Sequence, residues 1–268
     1  MLGSKGSEVR LALAAYVMLV QIGLMLRGVE MTKIVKRGYV PSDEKEFGLD
    51  VLEKLHKAGE ELYYLANRGY QMKMASTFVG NHYLLSERQR LALVRSISPK
   101  ESIENRRSKE ITGSLEGEIL HIDGFNTIIT LEIAFSDSLL LKCMDGTIRD
   151  LAGLRGTYRL IDKTELAVME IGKLLECKKV KKAVFYLDAP VSNSGRLKEL
   201  ILKYLGECSF EVQVEIIHNV DSTLETMENV VTGDAIILDK CQSRYNMTGE
   251  IITGVKDDYP FVDFAVAE

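Results

Sequence analysis

The stretch ILHIDGFN, residues 119–126, joins a short apolar run to residues of a different kind. Ile119–Ile122 has the length and composition of a buried β-strand. Asp123 follows it directly, Gly124 is expected to let the backbone turn sharply, and Asn126 comes two residues later, so polar side chains stand near the end of the strand. In a parallel sheet, ligands gather at the carboxyl ends of the strands. This stretch therefore predicts both a strand of a parallel sheet and one wall of a binding site.

Farther along the chain, apolar runs alternate with amphipathic patterns, as expected for βαβ units. Further strands are predicted at three places: Ala183–Leu187, Val212–Ile217 and Val230–Thr232. Helices are predicted to begin at Asp162 and Ser194, and Leu139–Cys143 with the turn after it predicts half of a small hairpin. Residues 111–268 are thus predicted to form an α/β domain with a mainly parallel sheet.

Residues 31–110 carry helical patterns instead. A helix start at Pro41-Ser42-Asp43 is followed by an amphipathic stripe of leucines: Leu52, Leu55, Leu62 and Leu65. A second helix is predicted over Met72–His82, and Ser86-Glu87-Arg88-Gln89 has the capping-box form that begins a third. The last two helices resemble a helix-turn-helix that presents three arginines: Arg88, Arg90 and Arg95. A plain three-helix packing module is the alternative.

The charged residues are divided unequally. Residues 31–110 contain 15 Lys and Arg against 11 Asp and Glu, whereas residues 111–268 contain 16 against 26. This charge difference is expected if a basic module that contacts nucleic acid lies beside a carboxylate-rich module that binds metal. The alternative is that the two regions simply have solvated surfaces of different net charge. The cysteines form no C-x-x-C pair, since more than 30 residues separate each from the next: Cys143, Cys177, Cys208 and Cys241. We expect reduced, buried thiols and a cytoplasmic protein.

Residues 1–30 form a hydrophobic extension that need not belong to the native chain. Leu11–Leu26 is apolar except for Gln21 and Gly23. As a helix it would span about 24 Å, which is short of a bilayer core of about 30 Å. A membrane anchor, an uncleaved signal and a helix packed on the body are alternatives to an extension read from a wrong start codon. Met31 opens a segment of different composition, which favours an extension read from a wrong start codon. We therefore expect no stable membrane association.

Three aspartates are expected to meet at one edge of the sheet: Asp123, Asp188 and Asp234. Such like charges are costly unless a divalent cation neutralises them or a proton is shared. Hard oxygen ligands select Mg²⁺ or Mn²⁺, which polarise a phosphodiester and position an attacking water. Asn126 is expected to orient a ligand or a water beside them. For each aspartate alone, capping of the next helix is the alternative.

Two motifs bracket this set: HIDGFNTIITLE, residues 121–132, and VVTGDAIILD, residues 230–239. They resemble the opening and closing motifs of PIN/NYN-type nuclease domains. Four other stretches resemble a prokaryotic family called domain of unknown function 434 (DUF434): RGYVPSDEKEF (37–47), LYYLANRGY (62–70), DGTIRDLAGLRGTYR (145–159) and LDAPVSNSG (187–195). Together the resemblances imply an N-terminal helical module followed by a PIN-like three-layer α/β domain that binds Mg²⁺ or Mn²⁺ and cuts RNA.

The resemblance to the nucleases also implies roles for single residues. Asp123, Asp188 and Asp234 match their metal-binding acids, and Glu132 lies where a further acid is often found. The segment 137–160 is absent from minimal PIN domains, and its arginines are candidates for holding phosphate oxygens: Arg149, Arg155 and Arg159. A simple ion pair between Arg149 and Asp150 is the alternative.

Other phosphate chemistry is weighed from local patterns. Ser192 and Ser194 precede a helix and are candidates for a phosphate cradle, with helix capping as the alternative. Phe125 stands where haloacid-dehalogenase phosphatases carry a second aspartate, so that chemistry is not favoured. No strand is followed by a G-x-G-x-x-G dinucleotide fingerprint.

These observations predict a metal-dependent phosphodiesterase of the ribonuclease type, which acts on nucleic acid and on RNA in particular. Its catalytic set would be Asp123, Asp188, Asp234 and Asn126. Two other classes stay open: a catalytically silent nucleic-acid-binding or scaffold protein, and a nucleotide- or phosphate-binding enzyme. The sequence does not define an oligomeric state.

Overall fold

The computed structural model describes residues 35–153, 156–256 and 259–265, and the chain from Lys36 onward forms one compact unit. The helices of the described residues are α1 (Asp43–Glu46), α2 (Leu49–Asn67), α3 (Met72–His82), α4 (Glu87–Ser96), α5 (Lys100–Ser108), α6 (Gly124–Ala134), α7 (Asp162–Cys177), α8 (Ser194–Leu205), α9 (Val220–Leu224), α10 (Ala235–Lys240) and α11 (Met247–Val255). The strands are β1 (Ile119–Asp123), β2 (Leu140–Lys142), β3 (Ile148–Asp150), β4 (Lys182–Asp188), β5 (Glu211–Ile217), β6 (Val230–Val231) and β7 (Phe261–Asp263).

The main sheet is parallel and has the strand order β5-β4-β1-β6, which confirms the predicted strands and their orientation. Alternate residues of β4 enter different cores. Phe185 and Leu187 join the large core that also contains residues of α6, α7, α8 and α11. Val184 and Tyr186 join a smaller core with residues of α9 and α10. Helices therefore cover both faces of the sheet.

The order of the strands reverses at β1. The chain passes from β1 to β4 and β5 on one side, and then returns to β6 on the other side. Connections that leave in opposite directions open a crevice at the carboxyl ends of the two strands on either side of the reversal, where ligands bind in open α/β sheets. Here that crevice lies between the ends of β1 and β6, which carry Asp123 and the Gly233-Asp234 pair.

A second, three-stranded sheet has the order β3-β2-β7. The predicted hairpin is confirmed, because β2 pairs antiparallel with β3. Gly146 in its turn has a φ of +83°, a conformation that glycine adopts without strain. β7 pairs parallel with β2 and was not predicted. The small sheet is thus mixed, while the main sheet is wholly parallel.

The N-terminal helices form as predicted, and two of the three arginines assigned to the helix-turn-helix are bonded within the protein. The capping box is present: Ser86 Oγ accepts from the Gln89 N–H, and the Gln89 side chain accepts from the Ser86 N–H. Arg88 pairs with Asp43, with Nη2 2.8 Å from Oδ2, and Arg90 Nε donates to a backbone carbonyl at 3.0 Å. These two arginines are engaged within the protein, so the packing-module alternative describes the helices better.

The helices share a core with the small sheet. Leu55 and Leu62 of the predicted stripe are fully buried, while Leu52 and Leu65 lie at the margin of the same core. The core also takes in residues of β2, β7 and the hairpin turn. The helical region and the α/β region are therefore packed together rather than joined by a free linker.

No helix among the described residues is long and apolar enough to cross a membrane. The hydrophobic extension predicted for residues 1–30, and the proposed start at Met31, lie outside the described part of the chain.

Candidate functional site

A cleft of about 660 Å³ opens at the carboxyl edge of the parallel sheet. Asn126 and five carboxylates line it: Asp123, Asp150, Asp188, Asp221 and Asp234. The structure thus brings the three predicted aspartates to one cleft, although they lie far apart along the chain. It adds Asp221, from α9, and Asp150, from β3.

Asp123 is the acid at the end of the central strand β1, and its side chain is only 6% exposed. Its Oδ2 accepts from the Thr232 hydroxyl at 2.8 Å, and its Oδ1 accepts from the Asn126 N–H at 3.3 Å. Burial raises the pKa of Asp123 to about 7, the nearby charges of Asp188 and Asp234 add to the rise, and the two hydrogen bonds oppose it. The carboxyl group of Asp123 therefore keeps its proton to a higher pH than an exposed aspartate does.

The loop after β6 ties Asn126 to Asp234. The Gly233 N–H donates to Asn126 Oδ1 at 2.7 Å, so the amide presents its Nδ2 end as the remaining donor. Asp234 Oδ1 accepts from the N–H groups of Ile236 and Ile237 at the start of α10. Asp123 caps α6 in a similar way. Helix capping and a place in the cleft are therefore compatible, because the capping bonds hold both carboxylates at its wall.

Asp188 and Asp221 are further acids of the cleft, and their pKa values are raised in part by neighbouring carboxylates. Burial raises the pKa of Asp188, and the charge of Asp221 adds to the rise. Burial also raises the pKa of Asp221, and Asp234 adds to that rise. Asp221 was not predicted, because it lies four residues beyond the end of β5 instead of directly after the strand. The only signal was a polar stretch, His218-Asn219, between that strand and α9.

The donor set fits a hard divalent cation. No Lys or Arg of the described residues forms an ion pair with Asp123, Asp188, Asp221 or Asp234, since the arginines at the cleft pair with Asp145 and Asp150. In that same part of the chain, no three Asp, Glu, His or Cys side chains stand close enough to complete a metal site by themselves. Mg²⁺ is often held by one or two carboxylates, with waters and phosphate oxygens as its other ligands.

Arg149 was predicted to bind phosphate, but its side chain is buried and engaged. It donates to Gly233 O at 2.6 Å, to Arg95 O at 2.5 Å and to Asp145 Oδ2 at 2.5 Å. These bonds join the cleft loop, the last turn of α4 and the hairpin turn. Arg149 therefore positions the wall of the cleft. The alternative pairing with Asp150 is also wrong, because the partner is Asp145.

Arg159 and Arg155 are the other two candidates from segment 137–160. Arg159 is exposed, and it is not among the residues that line the cleft. Arg155 lies outside the described residues. Asp150 bonds to the Thr130 hydroxyl at 2.9 Å and faces Arg95.

The serines of the predicted phosphate cradle are bonded to the backbone. Ser192 Oγ accepts from the Tyr158 N–H at 3.0 Å, and Ser194 Oγ donates to the carbonyl of Asp188 at 2.8 Å. Neither serine lines the cleft. The residue that precedes α8 is Asn193, with a φ of +65°. The segment is a turn that connects the end of β4 to α8, and its hydroxyls are bonded to the backbone.

Glu132, the further acid implied by the nuclease resemblance, lies in a different cluster. It is fully buried on α6, accepts from the Tyr158 hydroxyl at 2.7 Å and forms an ion pair with Arg37 at 2.5 Å. Nine helical positions, about 13 Å, separate it from Asp123. Its contribution is to the core and to the anchoring of the N-terminal segment.

Comparison with known sequences places the chain in a family. The model of a domain of unknown function, DUF5616, matches residues 112–250, which is more than half of the chain. This chain belongs to the DUF5616 family. The model of a protein family of unknown function, DUF434, matches residues 54–109. An uncharacterised protein of Methanocaldococcus jannaschii is 34% identical over 192 residues, which cover 71% of this chain and 92% of the relative. No solved structure matches.

The two family matches meet at the cleft. The predicted DUF434 membership is confirmed, for a shorter stretch than the motifs implied, since residues 145–159 and 187–195 fall within the DUF5616 match. The aspartates come from the DUF5616 region. Val94 and Arg95, from α4 in the DUF434 region, line the same cleft.

Proposed function

We propose that this protein is a divalent-metal-dependent phosphodiesterase that hydrolyses RNA. The observation that carries the proposal is the cleft itself: Asp123, Asp188, Asp221 and Asp234 line it at the point where the strand order reverses, with no basic partner among the described residues. The resemblance of residues 121–132 and 230–239 to PIN/NYN nuclease motifs supports the same chemistry. A PIN-like assignment of the α/β domain belongs to this proposal.

Uncompensated carboxylates are costly in a folded protein, and perturbed pKa values cluster at functional sites. A cation that binds here relieves the repulsion, so binding and the release of the Asp123 proton are coupled. Without a cation, burial keeps the pKa of Asp123 raised to about 7. This electrostatic arrangement favours a metal-binding site over a purely structural cluster.

Asp123, Asp188 and Asp234 are the proposed ligands of Mg²⁺ or Mn²⁺. No three such side chains of the described residues complete a site by themselves, so one or two of these aspartates would hold the ion together with waters and phosphate oxygens. The ion supplies a polarised phosphodiester and an activated water when bound. Thr232 and the Asn126 N–H keep the Asp123 carboxylate in one orientation. The Asn126 amide, fixed by Gly233, offers its Nδ2 donor to a substrate oxygen or to a water. Asp221 adds negative charge at the mouth and is a further candidate ligand.

The free cysteines support a proposal about the compartment in which the protein works. All four cysteines are free, and Cys143 and Cys241 are buried. Free thiols suit a reducing compartment, so we propose a cytoplasmic enzyme.

The test uses the full chain with labelled RNA, or with labelled DNA, in Mn²⁺, Mg²⁺ or EDTA. We expect cleavage of RNA that requires the metal and falls at least about 100-fold in Asp123→Asn, because removal of a metal-binding carboxylate withdraws several kcal/mol of transition-state stabilisation. Asp162→Asn, a surface acid at the start of α7, is the matched control and should cleave like the wild type. Tight RNA binding without cleavage would instead indicate a silent binding protein, and stabilisation by nucleotides alone would indicate a nucleotide-binding enzyme.

A further inference from the structure

One wall of the cleft comes from α4 in the DUF434 region. Val94 and Arg95 occupy the last turn of this helix and line the cleft together with residues of the DUF5616 region. A cation in the last turn of a helix is favoured by the helix dipole. The position of Arg95 therefore depends on how firmly that turn is held.

The last turn of α4 is fixed to the hairpin by backbone bonds. The Met144 N–H donates to Ser96 O at 3.0 Å, and Arg149 Nη1 donates to Arg95 O at 2.5 Å. The capping box at the other end of α4 keeps the helix in register. Arg95 thus stands at a rigid part of the wall, as a binding residue requires.

The side chain of Arg95 is only partly engaged. Its Nη1 donates to the carbonyl of Asp150 at 2.5 Å and lies 3.5 Å from Asp150 Oδ1 and from Ala152 O. Its Nε and Nη2 have no partner among the described residues, and the side chain is 33% exposed. Arg149, by contrast, uses all three of its nitrogens. Of these two arginines in the described lining, Arg95 is the one that retains donors.

We infer that Arg95 binds a phosphoryl group of the substrate in the cleft that the aspartates also line. The Nε–Nη2 edge of a guanidinium matches two oxygens of a phosphate, and a cation is needed where a polyanion meets an acidic cleft. The DUF434 region then completes the site that the DUF5616 region begins. The inference rests on the proposed function for the identity of the reaction, but phosphate binding can be measured without it.

The experiment compares three variants of the full chain. Arg95→Ala removes the cation, Arg95→Lys keeps the charge without the planar fork, and Arg68→Ala removes an exposed arginine of the same region that does not line the cleft. The probes are a short fluorescein-labelled oligouridylate followed by anisotropy in Ca²⁺, inorganic phosphate by calorimetry, and Mn²⁺ by calorimetry. We expect Arg95→Ala to weaken oligouridylate binding about tenfold or more, as loss of a charge-assisted bond does. The oligouridylate affinity of Arg95→Lys should lie between those of Arg95→Ala and the wild type. Arg68→Ala should bind oligouridylate like the wild type.

Binding of Mn²⁺ should stay unchanged in all three variants, because Arg95 contacts the anion. If the wild type binds oligouridylate through Arg95 and cleaves nothing, the hydrolase proposal fails and this inference stands. If the wild type cleaves RNA, and Arg95→Ala and Arg95→Lys bind and cleave with unchanged affinity and KM, the inference is overturned and the hydrolase stands. A wild type that binds neither phosphate probe also overturns it. Should Arg95→Ala unfold, Arg95→Lys decides the matter alone.

Discussion

Asp123 and Asp145 are both buried aspartates, yet their surroundings act on them in opposite directions. Burial raises the pKa of Asp123 to about 7, and its charged neighbours are other carboxylates. Burial acts to raise the pKa of Asp145 as well, but the charge of Arg149 and hydrogen bonds from Thr147 and Arg106 hold it well below its usual range. Arg106 lies 2.8 Å from Asp145 Oδ2.

The difference separates a structural carboxylate from a candidate functional one. Where the helical and α/β regions meet, the protein surrounds Asp145 with arginines from both regions, Arg106 on α5 and Arg149 on β3. At the cleft it leaves several carboxylates without such partners. Asp123 and Asp145 are both buried, so charge compensation is what differs between them.

The largest expected change in the free energy of unfolding is at Asp145, whose charge is compensated by arginines. Asp145→Ala leaves Arg106 and Arg149 buried beside each other without their shared partner, and loss of one member of a buried ion pair typically costs about 3 to 5 kcal/mol. Urea denaturation of the variant should show this loss of unfolding free energy. Asp162→Asn serves as the surface control. A loss below about 1 kcal/mol would mean that the arginines are hydrated, and the contrast with Asp123 would disappear.

A somewhat smaller effect, of opposite sign, is expected at Asp123. Its pKa of about 7 in the folded chain exceeds the value of about 3.9 in an unfolded chain, so the folded state binds the proton more tightly. Stability from this group is thus complete below about pH 4 and is lost as the pH rises to about 7. Without divalent metal, Asp123→Asn should be more stable than the wild type by roughly 2 to 4 kcal/mol near pH 8, and similar to it near pH 4.

Urea denaturation in EDTA at both pH values measures this difference. Addition of Mn²⁺ near pH 8 should stabilise the wild type and leave the variant almost unchanged, because ligand binding to the native state shifts unfolding by mass action. Equal stability of the two proteins at both pH values would contradict the argument that a charged Asp123 is unfavourable in the folded chain without a cation.

The smallest effect is expected at Glu132, a third buried acid. It has one cationic partner, Arg37, whose side chain is 18% exposed. Glu132→Gln should destabilise the protein by about 1 to 3 kcal/mol, since it weakens one charged contact and keeps most of the side-chain volume. Mn²⁺ affinity and RNA cleavage should not change. A loss of Mn²⁺ binding would instead return Glu132 to the metal site that the nuclease resemblance implied.

Local sequence patterns predict many of the helices and strands of this fold. The apolar runs that became β1, β4 and β5, and the capping box before α4, are recognisable because each depends on residues close in sequence. β7 was missed, because it has only three residues and exists through its pairing with β2. Gly124 was expected to allow a sharp turn, whereas a Cβ there would lie 2.5 Å from Leu187 Cδ2. Its role is a close approach of β1 to β4.

The amino-acid pattern alone determined that aspartates end three parallel strands, since strand ends and polar residues are read from neighbours along the chain. The tertiary structure alone decided which acids lack a partner and which arginine retains free donors. Arg106 is 39 residues from Asp145, and Arg95 is 55 residues from Asp150. An ion pair requires a few ångströms of separation in space, and no local pattern encodes that distance.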